Sequence, residues 1–401
     1  YKITKDEVIK KLRGEKGTSV DITIQRIGLD EPFDVTIIRD DIPIYSVGAA
    51  TMIDEKTGYI LLRRFSATTI DEVNKAIDKL DKQNFNKLIF DLRGNSGGYL
   101  EQAAAVSNLF ISTKDTLVYT KGKISDSNQA FISEPEKGRN DFSLIILINR
   151  GSASASEIVS GAVQDLDRGL IVGETSFGKG LVQRQLPLEG GSAIRITMAR
   201  YYTPSGRLIQ RPYEEGDDLT YYKELYAKDR ESTLDSLKQL RPKYKTRQGR
   251  TVYGGGGITP DIYIPYKNNL TQDSQKLIYN PNRLLFKYAN SIKKLYDIKI
   301  KTDIPVNTWT EKTNNLINNN KLSSDDFLNW LDKEIINNKD LNFSYTKDSI
   351  IINWNEINKK IIEEIASNLY GKDYKYFVRV HQDPYFLAGL ENLDRARSLI
   401  K

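Results

Sequence analysis

Short, wholly apolar runs alternate with stretches of helical period through the middle of the chain. Leu88-Ile89-Phe90, Leu144 to Ile148 and Leu170-Ile171-Val172 lack polar alternation, so each reads as a strand buried on both faces. Tyr59 to Leu62 is a fourth strand. Thr68 to Leu80 places Ile70, Val73 and Ile77 on one helical face. Leu100 to Phe110 is an apolar helix, and Ala155 to Leu166 is a helix directly after a strand. Buried strands separated by helices predict an α/β core with much parallel sheet. Upstream, Thr4 and Glu7 form a capping box, with Ile3 and Val8 as a hydrophobic staple, and the helix runs through Ile9 and Leu12 to Gly14. Val20, Ile22 and Ile24 alternate, as do Val35 and Ile37, predicting two strands. Residues 207–250 are polar and tyrosine-rich and read as a long excursion from the core. From about 267 onward Asn, Lys and Ile dominate. Helical periods near 283–295, 324–337 and 354–370 predict a separate, mainly helical region, and Asn318 to Asn320 a loop.

Composition narrows the chemistry. The 401 residues are 28% charged and 39% apolar, a globular composition sized for two to three domains. Lys and Arg number 59 against 53 Asp and Glu, and a surplus of six is too mild to argue for nucleic acid. The basic run Lys243-Tyr244-Lys245-Thr246-Arg247 with Arg250 reads as a solvated loop. Cysteine is absent, which excludes disulfides, thiol nucleophiles, zinc-thiolate sites and iron–sulfur clusters. His381 is the one histidine, so a two-histidine metal site cannot form within one chain, and a Ser-His-Asp triad would have to include it. No metal or cofactor is expected. No run approaches 18 apolar residues, so no membrane span is predicted, nor is a signal peptide present in these residues. The chain opens at Tyr1 within what reads as a folded element. The expectation is a fragment, with any targeting segment upstream.

Three stretches carry candidate chemistry. Arg150-Gly151-Ser152-Ala153-Ser154-Ala155-Ser156-Glu157 joins a buried strand to a helix. A serine there is either a helix cap or a nucleophile whose transition-state anion meets helix N–H groups. Gly173-Glu174-Thr175-Ser176-Phe177-Gly178-Lys179-Gly180 sets a lysine between glycines after another buried strand. A serine hydroxyl needs a base, and a desolvated lysine supplies one because burial lowers its pKa. Solvated loop lysine is the plainer reading. Gln183, four residues on, would reach Lys179 if the segment turned helically. Gly173, Gly178 and Lys179 also fit a phosphate-binding loop. Gly180 stands where that loop needs Ser or Thr, however, and Leu181 to Leu188 reads as strand rather than helix. Asp91-Leu92-Arg93-Gly94-Asn95-Ser96-Gly97-Gly98 follows a third buried strand; it is either a tight turn or, through its glycine N–H groups, part of an oxyanion hole.

Together and in this order, the three stretches resemble the carboxy-terminal processing peptidases, or tail-specific serine proteases. Ser154 and Lys179 are 25 residues apart, the family's spacing. Leu12-Arg13-Gly14 with Gly17 resembles the second half of the family's PDZ domain. Tyr202 to Arg207, and Gly254 to Gly257 with Pro260-Asp261, are also similar to family segments. The resemblance covers roughly residues 1 to 266. It implies an α/β, ClpP/crotonase-like protease core over 45–266 and a partial α+β PDZ domain over 1–44; the mainly helical domain over 267–401 rests on periodicity alone. It implies Ser154 as nucleophile, Lys179 as general base and Gln183 as its partner. The oxyanion hole would combine the N–H of Ala155 with that of Gly98 or Gly97, with Gly98 preferred. Asp165 matches a position implicated in some members, and a structural role is the expectation. Ser152 and Ser156 are rival nucleophiles that only the spacing excludes. The activity implied is a serine endopeptidase cutting protein or peptide substrates near exposed C-termini through an acyl-enzyme. The relatives imply export to the periplasm, and the resemblance leaves room for an upstream membrane anchor and for a homodimer. The alternative is a non-catalytic binding protein on the same fold; a crotonase-type acyl-CoA enzyme would have no use for a serine-lysine pair.

Overall fold

The structure, a computed structural model, describes residues 4–24, 31–212, 222–223, 225, 227, 230–265, 269–292, 309, 311–313, 322–338 and 341–400. They form two compact units, one ending at Tyr45 and the other beginning at Ser46.

In the first unit helix α1 (Lys5–Leu12) begins at the capping box: Thr4 N–H donates to Glu7 Oε2 (2.8 Å) and Glu7 N–H to Thr4 Oγ1 (3.3 Å). Ile3 of the staple lies outside the described residues. Strands β1 (Ser19–Ile24) and β2 (Phe33–Ile38) pair antiparallel. Arg39 ties helix to hairpin, donating from Nε to the Leu12 carbonyl (2.9 Å) and from Nη1 to the Ser19 carbonyl (2.8 Å).

The strands of the second unit are, in chain order, β3 (Val47–Met52), β4 (Thr57–Leu62), β5 (Lys87–Asp91), β6 (Thr116–Gly122), β7 (Ala130–Ile132), β8 (Ser143–Ile148), β9 (Leu170–Gly173), β10 (Leu181–Pro187), β11 (Ala193–Tyr202), β12 (Lys243–Lys245), β13 (Thr251–Tyr253) and β14 (Ile262–Tyr263). Six make the main sheet, in the order β14-β9-β8-β5-β4-β3, with β3 antiparallel and the rest parallel. Helices α2 (Thr69–Asp81), α3 (Leu100–Phe110) and α4 (Ala155–Asp165) follow β4, β5 and β8. They cover one face, packing Val73, Val106 and Val159 with Leu88, Phe90 and Ile146.

The other face explains why these strands are apolar on both sides. Ile89, Ile145 and Val172 point into a second cluster shared with Ile361, Phe377 and Phe386 of the C-terminal helices. Those helices include Leu284–Ser291, Ser324–Asn337, Trp354–Tyr370, Lys372–Val380 and Pro384–Glu391. The helical region thus closes the core as a third layer. The Asn318 to Asn320 loop lies outside the described residues. No helix among the described residues is long and apolar enough to cross a membrane.

A second, antiparallel sheet has the order β10-β11-β6-β7, leaving β10 on its edge. The basic run from Lys243 is not the solvated loop expected. It forms β12, paired with β13. Arg247 pairs with Asp115, and Arg250 with Asp167 (2.6 Å) and Asp261. The Asp167 and Asp261 carboxylates are withdrawn from water and need cationic partners, which this run supplies.

Ile145 is fully buried beneath the helix Pro384–Glu391, where a Cβ on Gly389 would lie 3.2 Å from its Cγ2. Ile145→Ala opens a cavity between sheet and helical layer and is expected to cost ~2–5 kcal/mol. Urea or thermal denaturation checks this, and an unchanged midpoint would contradict a shared core.

Candidate active site

β5, β8 and β9 are adjacent parallel strands, so the three candidate stretches leave the same edge of the sheet side by side. Hydrogen bonds then knit them together. Ser152 and Ser156 are fully buried, and their hydroxyls donate to the carbonyls of Leu92 and Asn95, both at 2.8 Å. The two rival serines are therefore structural pins between the second loop and the first. Ser154 is partly exposed and lines a cleft of about 880 Å³ together with Lys179, Gln183, Gly97, Gly98 and Ala155.

Ser154 has φ 56° and ψ −113°, well outside the extended conformation usual for a residue preceding a helix. A non-glycine residue held there stores on the order of 1–3 kcal/mol and persists only where its surroundings over-determine it. Glu157, fully buried one turn into α4, supplies that constraint. Its Oε2 accepts from the backbone N–H of Ser154 (2.8 Å) and of Lys179 (2.9 Å). Its Oε1 accepts from Gly178 N–H (2.6 Å) and from the Ser176 hydroxyl. On the other side, the buried Tyr201 hydroxyl lies 2.7 Å from the Lys179 carbonyl and 3.1 Å from that of Ser154, its single proton shared between them. Backbone of the serine and of the lysine is therefore fastened twice to common anchors. Burial pushes the Glu157 pKa up to about 7, opposed by its four hydrogen bonds. All four neighbours donate, which is the geometry of a carboxylate.

Lys179 Nζ donates to Gln183 Oε1 at 3.0 Å. The contact does not arise from a helical turn. Gln183 lies on strand β10, and a bulge between Val182 and Gln183 breaks the pairing with β11. The Lys179 pKa is lowered, first by burial and then by the positive charge of Arg195, with Glu157 opposing.

The first loop explains its glycines. Gly97 N–H donates to the Asn95 side chain (2.9 Å) and is thereby spent. Gly98 has φ 153°, and a Cβ there would sit 1.9 Å from the Phe65 carbonyl oxygen, so only glycine fits. Among the described residues the amides of Gly98 and Ala155 have no acceptor.

Asp165 is at the far end of α4, about 16 Å from Ser154 by helical rise and outside the cleft. It is paired with Arg207 (2.7 Å), both side chains fully buried, and its Oδ2 accepts from Ser205. His381 is in the helical layer, its Nδ1 2.7 Å from the Phe377 carbonyl, and does not line the cleft. Three functional contributors escaped the sequence reading: Glu157 as an anchor, Tyr201 and Arg195. An acidic residue three positions after a helix-capping serine is the capping-box signature, and it could have pointed to Glu157.

The family model for peptidase family S41 matches residues 56–217. The carboxy-terminal-processing protease of Bartonella bacilliformis is 39% identical over 211 residues, 52% of this chain and 48% of that protein. The carboxy-terminal processing protease CtpA of Bacillus subtilis is 36% identical over 206 residues, 51% of this chain and 43% of that protein. The solved photosystem II D1 C-terminal processing protease is 24% identical, with a TM-score of 0.39 over 63% of this chain and 57% of that one. The chain spans about half the length of the curated relatives it matches. The matched segment contains all three loops of the cleft, and over it the chain is similar to peptidase family S41 and to the carboxy-terminal processing proteases.

Proposed function

We propose that the chain is a serine endopeptidase with Ser154 as nucleophile, Lys179 as general base and Gln183 orienting the amine. One observation carries the reading: a strained Ser154 shares a single cleft with a partly desolvated lysine and with the open amides of Gly98 and Ala155. Neutral Lys179 takes the Ser154 proton as Oγ attacks the scissile carbonyl. The amides of Ala155 and Gly98 receive the oxyanion; Gly97 is the weaker candidate because Asn95 engages its N–H. The lysine then protonates the leaving amine, an acyl-enzyme remains, and water hydrolyses it. Asp165 acts as a structural partner of Arg207.

The finer assignments follow from this similarity and from local form. Residues 1–44, a helix and a hairpin, are read as part of a PDZ domain, which would capture a substrate's C-terminal tail by strand addition. Residues 45–266 are read as a ClpP/crotonase-like protease core and 267–401 as a helical domain. Substrates are proteins or peptides cut near exposed C-termini, and the site of action is the periplasm or an equivalent exported compartment.

An unfolded reporter with an apolar tail, analysed by mass spectrometry, tests the reading. Ser154→Ala and Lys179→Ala are each expected to lower cleavage by ~10⁴-fold or more without unfolding the chain, whereas Ser152→Ala and Ser156→Ala retain measurable activity. Undiminished cleavage by Ser154→Ala would overturn the assignment, and no cleavage by the folded wild type would leave a binding protein on the same fold.

The pH profile has a defined sign. Glu157 accepts four hydrogen bonds only when ionised, so kcat/KM is expected to rise with pH through about 7. It rises again through the Lys179 pKa, which lies below the ordinary 10.5, because only the neutral amine is a base. Arg195→Gln removes a neighbouring cation and should move this upper limb to higher pH, leaving the lower limb in place. Glu157→Gln, which cannot accept on both sides, is expected to reduce kcat by ~10²-fold, the scale of a 1 Å misplacement. Initial rates between pH 5 and 11 check all three expectations.

A further inference from the structure

The helical layer does more than cover the sheet: it touches the roots of the active-site loops from beneath. Arg93 stands immediately before the Gly94–Gly98 loop. Its Nη2 meets Asp91 Oδ2 at 2.6 Å, and its Nε lies 3.0 Å from Asp91 Oδ1. The remaining arm points to the C-terminal region, with Nη1 2.7 Å from Asp383 Oδ2 and 2.9 Å from Oδ1. Asp91 is held from the other side by the Tyr59 hydroxyl (2.8 Å). The guanidinium is thus clamped between two carboxylates, one from the end of β5 and one from the helical layer. Its carbon also lies 5.1 Å from the Tyr385 ring centroid.

Tyr385, two residues after Asp383, reaches the second root. A Cβ on Gly173, at the end of β9, would lie 3.2 Å from Tyr385 Cδ1. The Tyr385 pKa is raised, first by burial and next by the charge of Glu174. Glu174 opens the loop that carries Lys179 and is buried against Arg150 (2.5 Å), which opens the loop that carries Ser154. One short segment of the helical region therefore reaches the base of two loops directly and that of the third through Glu174.

We propose that Asp383 is a positioning residue for the oxyanion hole: through Arg93 it fixes the loop that presents the Gly98 amide, so that the C-terminal helical region sets the rate of the chemical step. This rests on the peptidase reading above. The physical reason is stiffness. A guanidinium bound on two sides by carboxylates has little freedom to rotate, and charge-assisted pairs of this kind are roughly twice as strong as neutral hydrogen bonds. Released from Asp383, Arg93 keeps Asp91 but loses the contact that fixes it against the helical layer, and the loop gains room to move away from Ser154.

The competing account is a pin that only holds the layers together, and the two separate experimentally. Asp383 Oδ1 also caps the helix Pro384–Glu391, accepting from Tyr385 N–H (2.9 Å) and Phe386 N–H (3.3 Å). Asn caps as well as Asp, so Asp383→Asn keeps the cap and removes the charge. In the full chain, kcat and KM are measured on the tailed reporter. The inhibition constant of a peptide aldehyde, whose adduct places an oxyanion in the hole, is compared with that of the matching peptide amide. The expected result for Asp383→Asn is a kcat lower by ~10-fold or more, below the ~10²–10³ seen when an oxyanion donor is lost outright. KM and amide binding should change less than about threefold, aldehyde binding should weaken in step with kcat, and Asp383→Glu should recover most of the loss. Unchanged kcat and aldehyde affinity in Asp383→Asn, with or without a lower melting temperature, overturn the proposal, as does a rise in KM alone. An inactive but folded wild type overturns the peptidase reading itself and is seen before any variant is compared.

Discussion

Everything at this site depends on one buried carboxylate. Glu157 is the common acceptor for donors from two segments about twenty residues apart, the Ser154 turn and the loop from Ser176 to Lys179. Burying a carboxylate is expensive unless it is fully hydrogen-bonded, and here four donors surround it. The same bonds do two further things. They hold Ser154 in a left-handed conformation it would not keep alone, and they fix the backbone of Lys179 relative to the serine. Tyr201 repeats the arrangement with opposite polarity, meeting the two carbonyls where Glu157 meets the two amides.

Convergence of the three loops is a property of the sheet before it is a property of the side chains. Parallel strands end on the same side, and ligands of open α/β sheets gather outside those carboxyl ends. With β5, β8 and β9 adjacent and strands ~4.8 Å apart, their loops emerge within about 10 Å of one another. Buried serine hydroxyls then complete the job: Ser152 and Ser156 donate to carbonyls of the first loop and so help set where Gly97 and Gly98 lie.

The sequence pattern exposed the parts governed by local periodicity. Leu100–Phe110 and Ala155–Asp165 are helices where the apolar spacing put them, and the strands at 87–91, 143–148 and 170–173 are the uninterrupted apolar runs. Those runs are apolar on both sides because residues from 269 onward, expected to be separate, cover the second face of the sheet. Non-local information was not legible. Nothing near Tyr201 announces that its hydroxyl will span two carbonyls, nothing near Arg195 that it will charge the surroundings of Lys179, and nothing near Asp383 that it will face Arg93 across 290 residues. Gln183 was reached through a helical turn that does not exist; the strand bulge that brings it to Lys179 depends on pairing with β11. The basic run at 243–250 misled for the same reason, because its carboxylate partners lie far away in sequence.

The second sheet turns this geometry into tunable chemistry. A lysine serves as a base only if its neutral form is accessible, and two influences lower its pKa here: partial burial, then Arg195. Burial is the coarser of these, because a deeper pocket would also exclude substrate. Arg195 is finer, since it sits on β11, opposite Gln185 of β10, and is not among the donors to Glu157. The backbone of Lys179 is thus held by Glu157 of α4 and by Tyr201 of β11, whereas its amine contacts Gln183 and is electrostatically biased by Arg195, both from the edge hairpin. The same strand that carries Arg195 also carries Tyr201, so it meets both the charge and the backbone of Lys179. A change at the Arg195 end of the hairpin can therefore alter how much of the lysine is neutral, whereas a change at the Tyr201 end also reaches the backbone of Ser154 and Lys179.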